Sequence, residues 1–316
     1  MSRAGDFSLT RRPDRLAWIF GSSRSGSSWL LRMLAELGPV VPVDDPHLGH
    51  HLGVWRPIPL AWASARELPP LTTLPELKRD NPSYFFSDRY RANWEPALRT
   101  LIVSRFDAQA SDAMKGGIDG EPIVVVKEPG SHVADLLLSM FPSSGLIFLL
   151  RDGRDVVDSW LAAYQEGSWA QEEGAFPASE RGRAALVHWQ SSVWAYRTAT
   201  VQRAFRAHPT MRKVLVRYER LRRDPAGELG SICNRLGIDA GPERLEEVAR
   251  MHEFERVPVE AKGNGRRIRH ARSGAWRENL TTAEQTVMHE VMGEKLAELG
   301  YLDVDAPRSR PMAPAV

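Results

Sequence analysis

Four short runs of this chain are almost wholly apolar, and they alternate with stretches of helical periodicity. The runs are 15–20 (Arg-Leu-Ala-Trp-Ile-Phe), 123–127 (Ile-Val-Val-Val-Lys), 146–150 (Leu-Ile-Phe-Leu-Leu) and 213–217 (Lys-Val-Leu-Val-Arg). A strand that is apolar on both faces must be covered on both. Such strands alternating with helices predict an α/β fold, a parallel central sheet flanked by helices.

Helices are expected after Gly26, over 132–140, from about Asp155 to Tyr164, over 180–207, and near 226–236, 243–251 and 283–299. Between 40 and 110 the pattern breaks down. Prolines recur there (Pro42, Pro46, Pro57, Pro59, Pro69, Pro70, Pro75, Pro82) with Trp55, Trp62 and Trp94. That segment reads as loops and short helices, a lid or acceptor-binding cover. The remainder reads as one domain over 13–305, with a flexible N-terminus (1–12) and a disordered Pro/Arg-rich tail (306–316).

Cys233 is the single cysteine of the 316 residues, so no intrachain disulfide forms. The polar N-terminus has no apolar leader, and no run reaches the roughly 18 apolar residues of a membrane span. A cytoplasmic location is expected. Net charge is +2, yet Arg217, Arg220, Arg222 and Arg223 cluster, as do Lys262, Arg266, Arg267, Arg269 and Arg272. These read either as a solvated basic surface or as contacts for a small polyanion. No nucleic-acid-binding signature accompanies them.

After the first apolar run comes Gly21-Ser22-Ser23-Arg24-Ser25-Gly26-Ser27-Ser28, which opens a helix. Glycine and serine let backbone N–H groups converge on an anion at a helix N-terminus. Ser25, Ser27 and Ser28 add hydroxyls, and Arg24 adds a cation. In the triphosphate loop G-x-x-x-x-G-K-(S/T) a lysine follows the second glycine. Here Ser27 stands there, which argues against ATP or GTP. A second anion-binding segment follows the run at 146–150. Arg151 lies at a strand's C-terminal end, where ligands of open α/β sheets bind, and Ser159 lies two helical turns beyond. Taken alone, this segment is equally well read as a helix cap made by Asp152 or Asp155.

Together the segments resemble the PAPS-dependent sulfotransferase family in its bacterial branch (PAPS is 3′-phosphoadenosine 5′-phosphosulfate). Arg24-Ser25-Gly26-Ser27-Ser28-Trp29-Leu30 is similar to that family's 5′-phosphosulfate loop, (K/R)-S-G-(T/S)-(T/S)-W-L. Arg151 and Ser159 match the spacing of its 3′-phosphate motif. Val216-Arg217-Tyr218-Glu219-Arg220-Leu221 resembles its Y-E-x-L element, whose tyrosine lies near the adenine. Residues 269–277, Arg269 to Arg277, resemble its R-K-G-x-x-G-x-W-(K/R) closing loop, in the register of Arg269 and Trp276. His270 and Ala271 replace lysine and glycine, and Arg272 is a substitute cation. The resemblance implies a P-loop-like nucleotide-binding fold, PAPS as donor, PAP (the desulfated nucleotide) as product, and transfer to a hydroxyl or amine.

Sulfuryl transfer needs in-line positioning and a cation at the leaving oxygen. Arg24 is assigned that role, with no metal. An acceptor hydroxyl needs a general base, and Asp45, Glu128 and His47 are the candidates, in that order. Lys127 either faces the site or neutralises Glu128. The acceptor is a small molecule, lipid or carbohydrate. A homodimer is left open. Two alternatives remain: a nucleotide-phosphate kinase with a degenerate loop, and a non-catalytic nucleotide- or glycan-binding relative.

Overall fold

The apolar runs lie side by side and point the same way. In this computed structural model the described residues are 7–56, 71–118, 120–174, 178, 180–263, 265–266, 268 and 272–302, with backbone only at 180 and 181. The strands are β1 (Leu16–Gly21), β2 (Val40–Asp44), β3 (Trp55–Arg56), β4 (Thr72–Thr73), β5 (Ile123–Lys127), β6 (Gly145–Leu150) and β7 (Lys213–Arg217). Five of them form an all-parallel sheet in the order β2-β5-β1-β6-β7, while β3 and β4 pair as a separate antiparallel ribbon. Register runs Ile19 beside Lys127 and Phe20 beside Phe148.

Alternation along the strands sorts side chains into two cores. Trp18, Phe20, Val126 and Phe148 face one layer, and Ile19, Val125 and Ile147 face the other. The first layer is built from α4 (Arg91–Lys115), α5 (Ala134–Met140), α8 (Glu180–Ala207) and α13 (Thr282–Glu298). The second is built from α1 (Ser27–Ala35), α10 (Pro225–Leu236) and α11 (Pro242–Met251). The other helices are α2 (Leu48–Leu52), α3 (Leu74–Lys78), α6 (Gly153–Ala163), α7 (Trp169–Glu172), α9 (Tyr218–Arg223) and α12 (Trp276–Asn279). The α/β architecture expected from the apolar runs is the one observed.

The segment 40–110 differs from its sequence reading. It opens with an edge strand, β2, which tolerates Pro42 because an edge strand can forgo an amide donor. It ends within the 25-residue α4, whose Ile102, Val103 and Phe106 join the core. Only Asp44 and Asp45 of its described residues border the cavity discussed below. Residues 57–70 lie outside the described residues. The N-terminal stretch is held in place from Phe7 onward. Leu9 is buried, and Ser8 Oγ and the Leu9 N–H donate to Asp107 on α4 at 2.8 and 2.7 Å. The tail assigned to 306–316 lies outside the described residues.

Candidate active site

β1 delivers the chain into the glycine-serine loop at the C-terminal edge of the sheet. Gly21 must lack a side chain, because a Cβ there would sit 2.2 Å from the Leu149 carbonyl oxygen. The loop turns through two left-handed residues, Arg24 (φ 70°) and Gly26 (φ 87°). Gly26 also lies against the Tyr218 ring, where an added Cβ would come within 2.7 Å. An arginine in the left-handed region is uncommon, and such strain concentrates at functional sites. Helix α1 then begins, with its first N–H groups turned toward the loop.

The second segment meets the first directly. Arg151 leaves β6, and its Nη1 donates to the Arg24 carbonyl at 2.7 Å. Its guanidinium lies over the Tyr218 ring, 4.3 Å from the centroid. Ser159 on α6 accepts from Arg24 Nε at 3.0 Å. The Arg24 guanidinium also lies 5.2 Å from the Trp169 ring centroid. Segments more than a hundred residues apart therefore share one wall.

That wall encloses a cavity of about 610 Å³, bordered by Arg24, Ser27, Ser28, Trp29, Arg151 and Ser159. Gly26, Asp45, Tyr218 and Arg272 complete the sequence-predicted set that reaches it. Arg32, Arg222 and Arg256 also line it, making six arginines against Asp44, Asp45 and Glu253. Trp29 donates its indole N–H to the His252 carbonyl at 3.0 Å, which fixes its ring beside Arg222 on the cavity border, where Phe254 also lies. Two predicted residues sit behind the wall. Ser25 is buried with no partner for its hydroxyl. Trp276 is buried between the guanidiniums of Arg154 and Arg277, at 4.2 and 4.5 Å. Arg269, His270 and Ala271 lie outside the described residues.

Carboxylates of the second segment hold the C-terminal loop against α6. Asp155 accepts from the N–H groups of Gly274 (2.8 Å) and Trp276 (3.4 Å), and Asp158 accepts from Asn279 Nδ2 at 3.1 Å. Burial raises the Asp155 pKa, outweighing those N–H bonds. Asp152 caps α6 by accepting the Arg154 N–H at 2.9 Å and pairs with the Arg154 guanidinium at 2.7 Å. Glu219, next to Tyr218, accepts from the Asp152 N–H and from the Tyr301 hydroxyl, each at 3.0 Å.

The three base candidates separate. Lys127, 5% exposed at the end of β5, reaches Asp44 (2.6 Å), Asp45 (2.7 Å) and Ser28 Oγ (2.7 Å). Asp45 borders the cavity with a strained backbone (φ 50°). Glu128 is 2% exposed and turned away. Its carboxylate accepts the N–H groups of Leu48 (2.9 Å) and Gly130 (2.6 Å), so it fastens a turn instead of facing the cavity. Burial raises its pKa despite those bonds. His47 precedes α2 on the exposed side, its ring 5.5 Å from His50, and does not border the cavity. Lys127 therefore neutralises Asp44 and Asp45, not Glu128.

The basic clusters also separate. Arg222 and Arg272 reach the cavity. Arg217 instead donates to the Leu299 carbonyl at 2.6 Å, Arg220 pairs with Glu228 at 3.0 Å, and Lys262 donates to the Phe254 carbonyl at 3.1 Å. Sequence reasoning missed Arg32 and Arg256. Arg32 follows Ser28 by four residues and so shares its helix face, a signal that was available. Arg256 ends a single 3-10 turn, Phe254–Arg256, too short to give a period to read.

A glycine-serine loop between a strand and a helix, faced by an arginine from the neighbouring strand, is the arrangement of a P-loop-like nucleotide-binding α/β fold. The chain belongs to the Sulfotransferase family, whose profile it matches over residues 17–242. Among solved structures it resembles mouse sulfotransferase SULT7A1 complexed with PAP, at 13% identity and TM-score 0.50, covering 91% of this chain and 86% of that one. It also resembles the sulfotransferase domain of the Synechococcus PCC 7002 olefin synthase (18% identity, TM-score 0.48, 92% and 95% covered). Sulfotransferase STF9 from Mycobacterium avium is a further likeness (15% identity, TM-score 0.46, 92% and 80% covered). No curated protein matches the chain in sequence. Among the described residues no helix is long and apolar enough to cross a membrane, and no three His, Cys, Asp or Glu side chains gather as a metal site.

Proposed function

We propose that this protein transfers the sulfuryl group of PAPS to a hydroxyl of a small acceptor. The observation that carries this reading is the joining of Arg24, Ser27 and Ser28 to Arg151 and Ser159 on one cavity wall. The donor has two anionic ends, and each segment supplies a cation and hydroxyls to one of them. Arg151 Nε is buried without a protein partner, as suits a group waiting for a phosphate oxygen. Trp29 and Phe254 offer apolar faces for the adenine, with Tyr218 beside Arg151.

In the reaction the acceptor oxygen attacks sulfur as the bond from sulfur to the bridging oxygen breaks. PAP leaves with that oxygen, and the acceptor's proton passes to a base. Arg24, at the cavity wall, offsets the charge that develops on the leaving oxygen. It remains a cation throughout and so stabilises without donating its proton. Asp45 takes the acceptor proton. Lys127 holds that carboxylate in place and, through Ser28, ties it to the donor loop. Arg272 adds charge from the C-terminal loop.

Calorimetry with PAP tests the donor site, and labelled PAPS against a panel of phenols, alcohols, sugars and amines tests the transfer. PAP binding in the micromolar range with label moving to at least one acceptor is the expected result. Absence of PAP binding would overturn the reading.

A further inference from the structure

Helix α8 carries a cation that the reaction described above does not use. Arg197 is 5% exposed. Its Nη1 donates to Ser23 Oγ at 2.8 Å, while its Nε is buried without a partner. No carboxylate among the described residues forms an ion pair with it, and Glu128 acts on it through charge at a distance. Burial lowers its pKa to about 10, so it stays ionised at neutral pH. Its field reaches its neighbours. After burial, it is the next cause holding His50 at about 4 and His132 at about 3. A buried, unpaired guanidinium is costly, and the cost falls when an anion arrives nearby.

Ser23 is the residue just before Arg24 in the donor loop, and it is half-buried. A hydroxyl that accepts from a guanidinium keeps its own hydrogen for another acceptor. Ser27 and Ser28 border the donor cavity with Arg24, whereas Ser23 and Arg197 do not. Arg197 lies 5.8 Å from the Trp55 ring, which stacks near His132 at 4.2 Å. Ser23 thus stands one residue before Arg24, the cation assigned to the bridging oxygen, and Arg197 backs it from the side of Trp55 and His132.

We propose that Ser23 and Arg197 form a second anion-binding element, in which Ser23 donates its hydroxyl to a sulfuryl oxygen of the donor. Arg197 is a positioning residue that fixes this hydroxyl and places positive charge behind it. The proposal rests on the donor reading above. Because PAP lacks the sulfuryl group, the two nucleotides separate this role from simple support of the loop.

The test is calorimetry of PAPS and of PAP with wild type, Ser23→Ala, Arg197→Met and Arg197→Lys. Ser23→Ala and Arg197→Met should weaken PAPS binding about tenfold or more, and PAP binding by less than about threefold, with Arg197→Lys recovering part of the loss. Equal losses for both nucleotides, or none, overturn the proposal. If Arg197→Met does not fold, Ser23→Ala decides alone, since its side chain is half-buried on a loop. A wild type that binds neither nucleotide rejects the donor reading. The anion element is then judged by sulfate. Sodium sulfate should raise the Tm of wild type more than that of Ser23→Ala, relative to chloride at equal ionic strength, and equal rises overturn the element.

Discussion

Arg151→Met tests the proposed grip on the 3′-phosphate. One arm of Arg151, Nη1, is committed to the Arg24 carbonyl, and its face is committed to the Tyr218 ring. Nε and Nη2 remain for a ligand, and Nε has no protein partner. Two charge-assisted hydrogen bonds at about 1.5–3 kcal/mol each amount to about 3–6 kcal/mol, a factor of ~10²–10⁴ in Kd. Methionine keeps an apolar stem over the tyrosine, so the loss falls mainly on the phosphate contacts. The assay is a cycle: calorimetry of PAP and of AMP, which lacks the 3′-phosphate, with wild type and variant. Wild type should prefer PAP by about a hundredfold or more, and the variant by less than about tenfold. The lost Arg24 contact disturbs both nucleotides alike and so cancels from that preference. A PAP-to-AMP preference unchanged by the substitution refutes the assignment, whatever happens to the absolute affinities.

Asp45→Asn should lower turnover by about 10²-fold or more while PAP affinity, read by calorimetry, stays near wild type, because the carboxylate acts on the acceptor proton. Gly26→Ala combines a left-handed backbone with a clash against the Tyr218 ring, and should cost about 2–4 kcal/mol in urea unfolding. His132 donates from Nε2 to the Gly53 carbonyl at 2.6 Å and has no partner for Nδ1, and burial followed by the charge of Arg197 lowers its pKa to about 3. A lowered pKa means the unfolded chain binds the extra proton first, so this contribution is full above about pH 6.5 and is lost as pH falls toward 3; about 2 kcal/mol should go between pH 7 and 5, and His132→Gln should flatten that part of the urea profile.

Both segments that meet at the cavity were legible because each packs its chemistry into a short window. The spacing from Arg24 to Ser28 spans one loop and a helix start, and that from Arg151 to Ser159 spans a strand end and two turns. Their meeting was not legible from either alone, since it depends on β1 lying beside β6. Glu128 was misread because it adjoins Lys127. Side chains alternate along extended chain, so a lysine that reaches Asp45 and Ser28 sends its neighbour the other way, into the turn at Leu48 and Gly130. Helix α4 was hidden by its composition. It buries only a narrow stripe, and its charged residues gave no apolar period to read. Arg197 was hidden for the opposite reason. An arginine in the middle of a long helix reads as a solvated face, and only the packing of α8 beneath the donor loop buries it.

The segment 151–159 does two jobs, one toward the cavity and one toward the C-terminal loop. Arg151 and Ser159 face the cavity, whereas Asp152, Asp155 and Asp158 face the protein and hold Arg154, Gly274 and Asn279. The helix can sit this close to its neighbours because Gly153 has no side chain; a Cβ there would meet Trp194 at 2.5 Å and Met292 at 2.7 Å. Arg272 reaches the cavity two residues before the Gly274 N–H that Asp155 holds. The burial that raises the Asp155 pKa weakens its hold, because a desolvated carboxylate is costly even with two N–H donors. An anion lying between Arg151 and Arg272 would draw both toward itself and add to that hold. Loop docking and donor binding would then be linked, the docked loop raising donor affinity by the same factor by which bound donor favours docking.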